Sequence, residues 1–232
     1  MSMQNKLKTR GIVMLIGFFI LLGAIFTPIF PGKAGKVNGL DFMDNLFNTI
    51  SKGSSYFIAD SLKSSDKYAG QMIDVKIKMD NEQQAINTAK LFQVGGAEAT
   101  VSGKELAIKG DISLMLKSSL ADAEQMYHNN GAPVASKYGF NEKEAIYNWW
   151  MAFKAIDKSL TAQENFKEAK AFSSIRSKAL EPAYNYYGVA SSNYKDNIGL
   201  IAAALLFYVV YTVWYGFGLM YLFEGLGLKI GH

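Results

Sequence analysis

The chain has no cysteine and only two histidines, His128 and His232. The first absence excludes a disulfide framework, a CxxCH haem attachment, iron–sulfur ligation and a thiol nucleophile within the chain. The second leaves a bis-histidine haem or a three-histidine zinc site short of ligands unless another chain supplies them. Stretches that name a reaction are missing too, with no GxSxG, HExxH, Walker A or GxGxxG in the sequence. No catalytic residue, metal or cofactor is therefore assigned, and the chain is expected not to be an enzyme.

The chain also lacks a surplus of charge where a nucleic acid would need one. Lys6, Lys8 and Arg10 supply most of the formal net charge of +4, while Glu224 and Lys229 offset each other. The region between carries 20 basic against 19 acidic side chains, which gives no electrostatic footprint for a phosphate backbone. There is no internal repeat, coiled-coil heptad or low-complexity linker.

What is present in quantity is apolar sequence, gathered into two uncharged runs. Residues 198–223 (IGLIAAALLFYVVYTVWYGFGLMYLF) contain no charged side chain. At roughly 1.5 Å rise per residue this run crosses a hydrocarbon core of about 30 Å, where only a self-bonded backbone is stable. Residues 11–30 form a second run behind a basic head, 1–10. That run reads as an uncleaved signal anchor rather than a signal peptide. It exceeds a usual signal core, and Pro28 and Pro31 stand where small cleavage-site residues are wanted. Positive charge in the head places both termini in the cytoplasm of a bacterial cell, with a short tail at 224–232. Residues 31–197 then form a domain outside the inner membrane, in the periplasm.

Within that domain, Phe42, Met43, Leu46, Phe47 and Ile50 recur at helical spacing after Asp41 as N-cap, and Ser51-Lys52-Gly53 reads as the stop. A short helix is expected over 56–68. Ile73, Val75, Ile77 and Met79 then alternate with polar residues, which predicts a strand. A helix from Asp80-Asn81 turns Ile86, Ala89 and Phe92 inward and stops at Gly95-Gly96. Two strands follow, with Gly110 breaking the second and Asp111 capping the next helix. This β-α-β-β-α order over 71–128 resembles an incomplete ferredoxin-like unit, a likeness of architecture that implies no function. The loop at 128–133 closes this lobe. A helical lobe, 37–70 and 140–190, completes an α+β domain. It contains helices with apolar faces Ala145, Ile146, Trp149, Trp150, Phe153, Ile156 and Phe166, Ala169, Phe172, Ile175, Ala179, Leu180, the second bent or ended by Glu181-Pro182. Tyr184, Tyr186, Tyr187 and Tyr194 crowd the approach to the last run, as tyrosines do at headgroup level.

His128 reads as a helix cap or, less simply, a ligand. Trp149 reads as core and Trp150 as freer. Glu142, Glu144 and Asp157 read as a solvated face. In the last run Phe207, Tyr211, Trp214, Gly218 and Tyr221 make one stripe, suited to a protein partner in the membrane, to lipid or to a quinone-like ring. Gly23 with Thr27, and Gly199 with Ala203, form two small-xxx-small pairs expected to pack the two runs together at their outer ends. Two functions fit: a non-catalytic subunit or scaffold of a membrane complex, whose partners are lipid and other membrane subunits or a second copy, or an extracytoplasmic sensor. The order span, outer domain, span resembles the front half of transmembrane receptors. With only nine residues after Phe223, such a sensor would have to signal laterally.

Overall fold

The structure is a computed structural model and describes residues 2–228. Met1 of the expected head and 229–232 of the expected tail, with Lys229 and His232, lie outside the described residues. In chain order the elements are α1 (Met3–Phe26), β1 (Phe30–Gly32), β2 (Gly35–Val37), α2 (Gly39–Ser54), α3 (Ile58–Ser65), β3 (Met72–Lys78), α4 (Glu82–Val94), β4 (Glu98–Ser102), β5 (Glu105–Asp111), α5 (Ile112–Tyr127), α6 (Ala132–Tyr138), α7 (Glu142–Ala162), α8 (Phe166–Ile175), α9 (Glu181–Asn185) and α10 (Ile198–Gly225). The fold is mixed α+β. Two of its helices are long and apolar enough to cross a membrane, α1 and the run Tyr194–Gly225 that contains α10.

The chain divides into two compact units, Met1–Ile50 with Ser192–His232, and Ser51–Ser191. In the first, α1 and α10 pack along their lengths. A small antiparallel hairpin of β1 and β2 pairs Phe30 with Val37. The sequence reading missed it, because a run rich in proline and glycine carries no alternation to see. The cap of α2 is Asn38 rather than Asp41. The Asn38 Oδ1 accepts the Asp41 N–H at 2.8 Å while its amide donates to the Asp41 carboxylate at 2.9 Å. Nor do Ser51-Lys52-Gly53 stop the helix, which runs on to Ser54.

In the second unit β3, β5 and β4 form an antiparallel sheet in that order, with Val75 opposite Ile108 and Ile108 opposite Ala99. The alternation expected along β3 is present, with Ile73, Val75 and Ile77 buried between exposed neighbours. Gly110 does not break β5. It continues the strand opposite Ile73, and a Cβ there would meet Ala97 Cβ at 2.7 Å. The glycine is a point of close approach, not a terminator. Asp111 caps α5 as expected, accepting from Leu114 N–H at 3.1 Å.

Helices α4, α5 and α7 contribute to the core, and rings set edge-on join α4 and α7 to α8. Trp149 lies 4.8 Å from Phe92 and 5.5 Å from Phe153, and Phe153 lies 4.9 Å from Phe172. Such edge contacts match the positive rim of one ring to the negative face of the next. Ile86 and Phe166 are exposed, against expectation, because Ala85, Ala89 and Phe92 on α4 and Ala169, Phe172 and Ile175 on α8 fill the inward stripes. The loop expected at 128–133 is present over 128–131, and α6 begins at Ala132 with Pro133 in its first turn. Glu181-Pro182 does not end the helical run either. A π-helical turn, Arg176–Leu180, precedes α9 and widens the backbone where Pro182 would otherwise clash.

Candidate functional site

The aromatic stripe on α10 faces α1. Tyr211 stacks on Phe18 of α1 at 4.2 Å with planes 19° apart, and Tyr215 lies 4.7 Å from the same ring. A Cβ built on Gly17 would touch Trp214 at 3.0 Å, and one on Gly218 would touch Leu15 at 3.1 Å. Arg10 places its guanidinium 4.4 Å from the Tyr221 ring centre. Of the five, Phe207 alone is exposed, and it stacks on Tyr211 at 5.5 Å. The surface expected to meet an external partner is therefore occupied by the chain's own first helix.

The small-residue pairs are corrected with it. Nothing lies within 4 Å of a Cβ on Gly23 or Gly199. Ala203 is exposed, and Thr27 caps α1, its hydroxyl donating to Ala24 O at 2.6 Å. The close approaches lie at the other end of the pair, where a Cβ on Gly11 would sit 2.5 Å from Leu222 N and one on Gly225 would meet the Lys8 backbone. The reason is register. Leu7, Gly11, Met14, Leu15, Gly17, Phe18, Leu21, Leu22 and Ile25 are the covered positions of α1, one broad face, and Gly23 falls outside it.

The second unit holds a buried polar node that the sequence reading missed. Asp122 of α5 is 3% exposed. Its Oδ2 accepts from the Tyr138 hydroxyl at 2.5 Å and from Trp149 Nε1 at 2.8 Å, and its Oδ1 accepts from Lys137 Nζ at 2.9 Å. Burial pushes the Tyr138 hydroxyl well above its ordinary value, and the adjacent Asp122 charge and hydrogen bond push it further. Both carboxylate oxygens are occupied, so the node pins α5, α6 and α7 together. A signal was available: Met115, Ser119, Asp122 and Met126 follow helical spacing, and a carboxylate on a buried stripe needs donors.

A second buried charge is Lys52, 1% exposed near the end of α2. Its ammonium donates to Val189 O at 2.7 Å, Asn129 Oδ1 at 2.9 Å and Tyr186 O at 3.1 Å, and the Tyr127 hydroxyl donates to the Lys52 carbonyl. His128 is the C-cap of α5, with Nε2 3.0 Å from Glu124 Oε1. Glu124 also accepts the Tyr56 hydroxyl, whose titration is raised by burial first and by that carboxylate second.

Trp149 is fully buried. Trp150 is half-buried between Lys154 and Arg176, at 5.2 and 5.4 Å from its ring centre. Glu142 and Glu144 are more than a solvated face: they accept from the Tyr187 hydroxyl at 3.0 Å and from Asn87 Nδ2 at 2.7 Å. Tyr184 packs 6.1 Å from Tyr147, so Tyr184 and Tyr187 are packing residues of the second unit. Among the described residues no three His, Asp or Glu side chains converge as a metal site.

Comparison with protein-family models, with curated proteins and with solved structures finds no match for this chain.

Proposed function

We propose that the chain is a two-span protein of a bacterial inner membrane, both termini cytoplasmic and residues 31–197 periplasmic, acting as a non-catalytic subunit of a larger membrane complex. The observation that carries this is the outside of the helix pair. With α1 and α10 packed on each other, only Gly11 and Phe18 of α1 and Gly218 of α10 are buried. Helices so apolar and so exposed need lipid or protein around them. Lys6, Lys8 and Arg10 at the start of α1 support the cytoplasmic placement of that end.

With its aromatic stripe spent on α1, α10 meets a partner on the neighbouring face. Leu206, Val209, Val213 and Phe217 follow i, i+3, i+7, i+11 and are all exposed. For the periplasmic domain, the sheet order first–third–second, all antiparallel, supports a ferredoxin-like unit lacking its fourth strand.

Photo-crosslinking residues placed at Val213 and Phe217 in intact cells test the proposal. They should yield one discrete adduct, its mass giving either a second copy or another membrane subunit, while a probe at Trp214 should yield none. Probes at 213 and 217 that capture only lipid would remove the subunit role. A cysteine at Ser102 should react with an impermeant thiol reagent in whole cells and one at Ser2 should not; the reverse would overturn the topology.

A further inference from the structure

The second unit contains an open cleft of about 270 Å³ between α3 on one side and α8 with its π turn on the other. We propose that it binds a small organic monoanion, a carboxylate carried on an apolar body. The floor is apolar, with Leu116 and Ile175 buried at its base. The Phe57 ring stands 44% exposed among the lining residues, an apolar wall with no protein ring stacked on it.

Against this floor stand donors. Ser61 is 6% exposed, yet its hydroxyl has no hydrogen-bond partner among the described residues, and neither do the hydroxyls of Ser64 and Ser174. Ser65, one turn on, satisfies itself on the Leu62 carbonyl at 2.6 Å. A nearly buried hydroxyl left open on a cleft wall is a group waiting for an acceptor from outside the protein. Lys170 and Lys178 supply ammonium groups on the α8 side. Eight positions apart, they would diverge on a regular helix. The π turn Arg176–Leu180, with its i→i+5 bonding, turns the chain less per residue and keeps Lys178 on the cleft side with Lys170 and Ser174.

Two ammonium groups and three unpartnered hydroxyls are a donor set for anionic oxygens. Asp60, the one carboxylate in the lining, reduces the positive charge to a single unit, which favours a monoanion over a dianion. The volume admits a body the size of one ring. This reading does not depend on the membrane role proposed above.

The test uses the full chain in detergent micelles with 4-fluorobenzoate observed by fluorine NMR. 4-Fluorobenzyl alcohol serves as the uncharged control and 4-fluorophenyl phosphate as the dianion. Saturable binding of 4-fluorobenzoate is expected, with no saturable binding of the alcohol and weaker binding of the phosphate. The double change Lys170→Met with Lys178→Met should weaken 4-fluorobenzoate by about tenfold or more, since charge-assisted bonds are lost. Ser61→Ala should weaken it by roughly threefold, the worth of one net hydrogen bond. Lys154→Met, outside the cleft, should leave it unchanged. Absence of saturable binding, binding equally tight in a folded double variant, or preference for the phosphate would each overturn the proposal.

Discussion

The two units hold themselves together at opposite kinds of place. In the unit of residues 51–191 the tightest polar points are Asp122 and Lys52, charges withdrawn from water and saturated with partners. In the helix pair of the other unit the tightest points are Gly11 and Gly225, where a Cβ would run into the backbone of Leu222 and of Lys8. The contrast follows from the driving force. A domain folding in water gains most from apolar burial, so a few polar groups can be buried to fix which arrangement of helices wins. On the membrane reading proposed above, α1 and α10 gain nothing by hiding apolar surface from lipid tails. Close backbone approach and dispersion must then hold them, and glycine permits both.

The largest effect expected is at Asp122. Asp122→Ala would orphan the Tyr138 hydroxyl and the Trp149 indole N–H, each buried, at a cost of about 1–3 kcal/mol for each donor. Chemical denaturation followed by tryptophan fluorescence measures it. A loss below about 0.5 kcal/mol, the range of ordinary surface changes, would mean the node does not set the packing of α5, α6 and α7.

Alkali should weaken the same node. Because the Tyr138 pKa is raised in the fold, its stabilising contribution is complete below the ordinary tyrosine value of 10.0 and is lost as pH rises beyond it. Phenolate absorbance from Tyr138, isolated by comparison with Tyr138→Phe, should therefore appear only together with unfolding. Free titration near 10 in the folded protein would contradict the enclosure described.

In the helix pair the decisive change is Gly11→Val, which drives a side chain into the Leu222 backbone and should cost about 1–3 kcal/mol of pairing, as overpacking does. Disulfide trapping reads this directly. A cysteine pair at positions 15 and 218 should crosslink within one chain and stop doing so in the Gly11→Val background, whereas a pair at 23 and 203 should not crosslink in either. The smallest effect is the control. Gly23→Ala and Gly199→Ala, with open space beside both, should shift pairing by no more than about 0.5 kcal/mol. A large effect there would return the contact to the ends first expected from the small-residue pairs.

Much of the fold was legible because period carries it. The strand at 72–78 announced itself by alternation, and the Asn81 and Asp111 caps by side chains that accept from the first turn. Signals that depend on what lies opposite misled. Gly110 reads as a breaker until Ala97 is seen across from it, and of the bend or end read at Glu181-Pro182 the helix shows a π turn just before it and no end. Asp122 was overlooked because its donors come from Lys137, Tyr138 and Trp149, on two later helices.

The sequence by itself determined the two apolar helices, the mixed α+β character and most element types. Those properties depend on neighbours within a turn or two along the chain, and local hydrophobic period and capping residues encode them. Tertiary structure alone decided which faces meet: that Tyr211 rests on Phe18, that the glycines at 11, 218 and 225 rather than 23 and 199 make the seam, and that Ser61 and two lysines line one cleft. Helix faces are written in sequence only as lists of positions. The rotation of one helix against another is chosen by steric fit across the gap, where a shift of one residue exchanges a glycine for a phenylalanine.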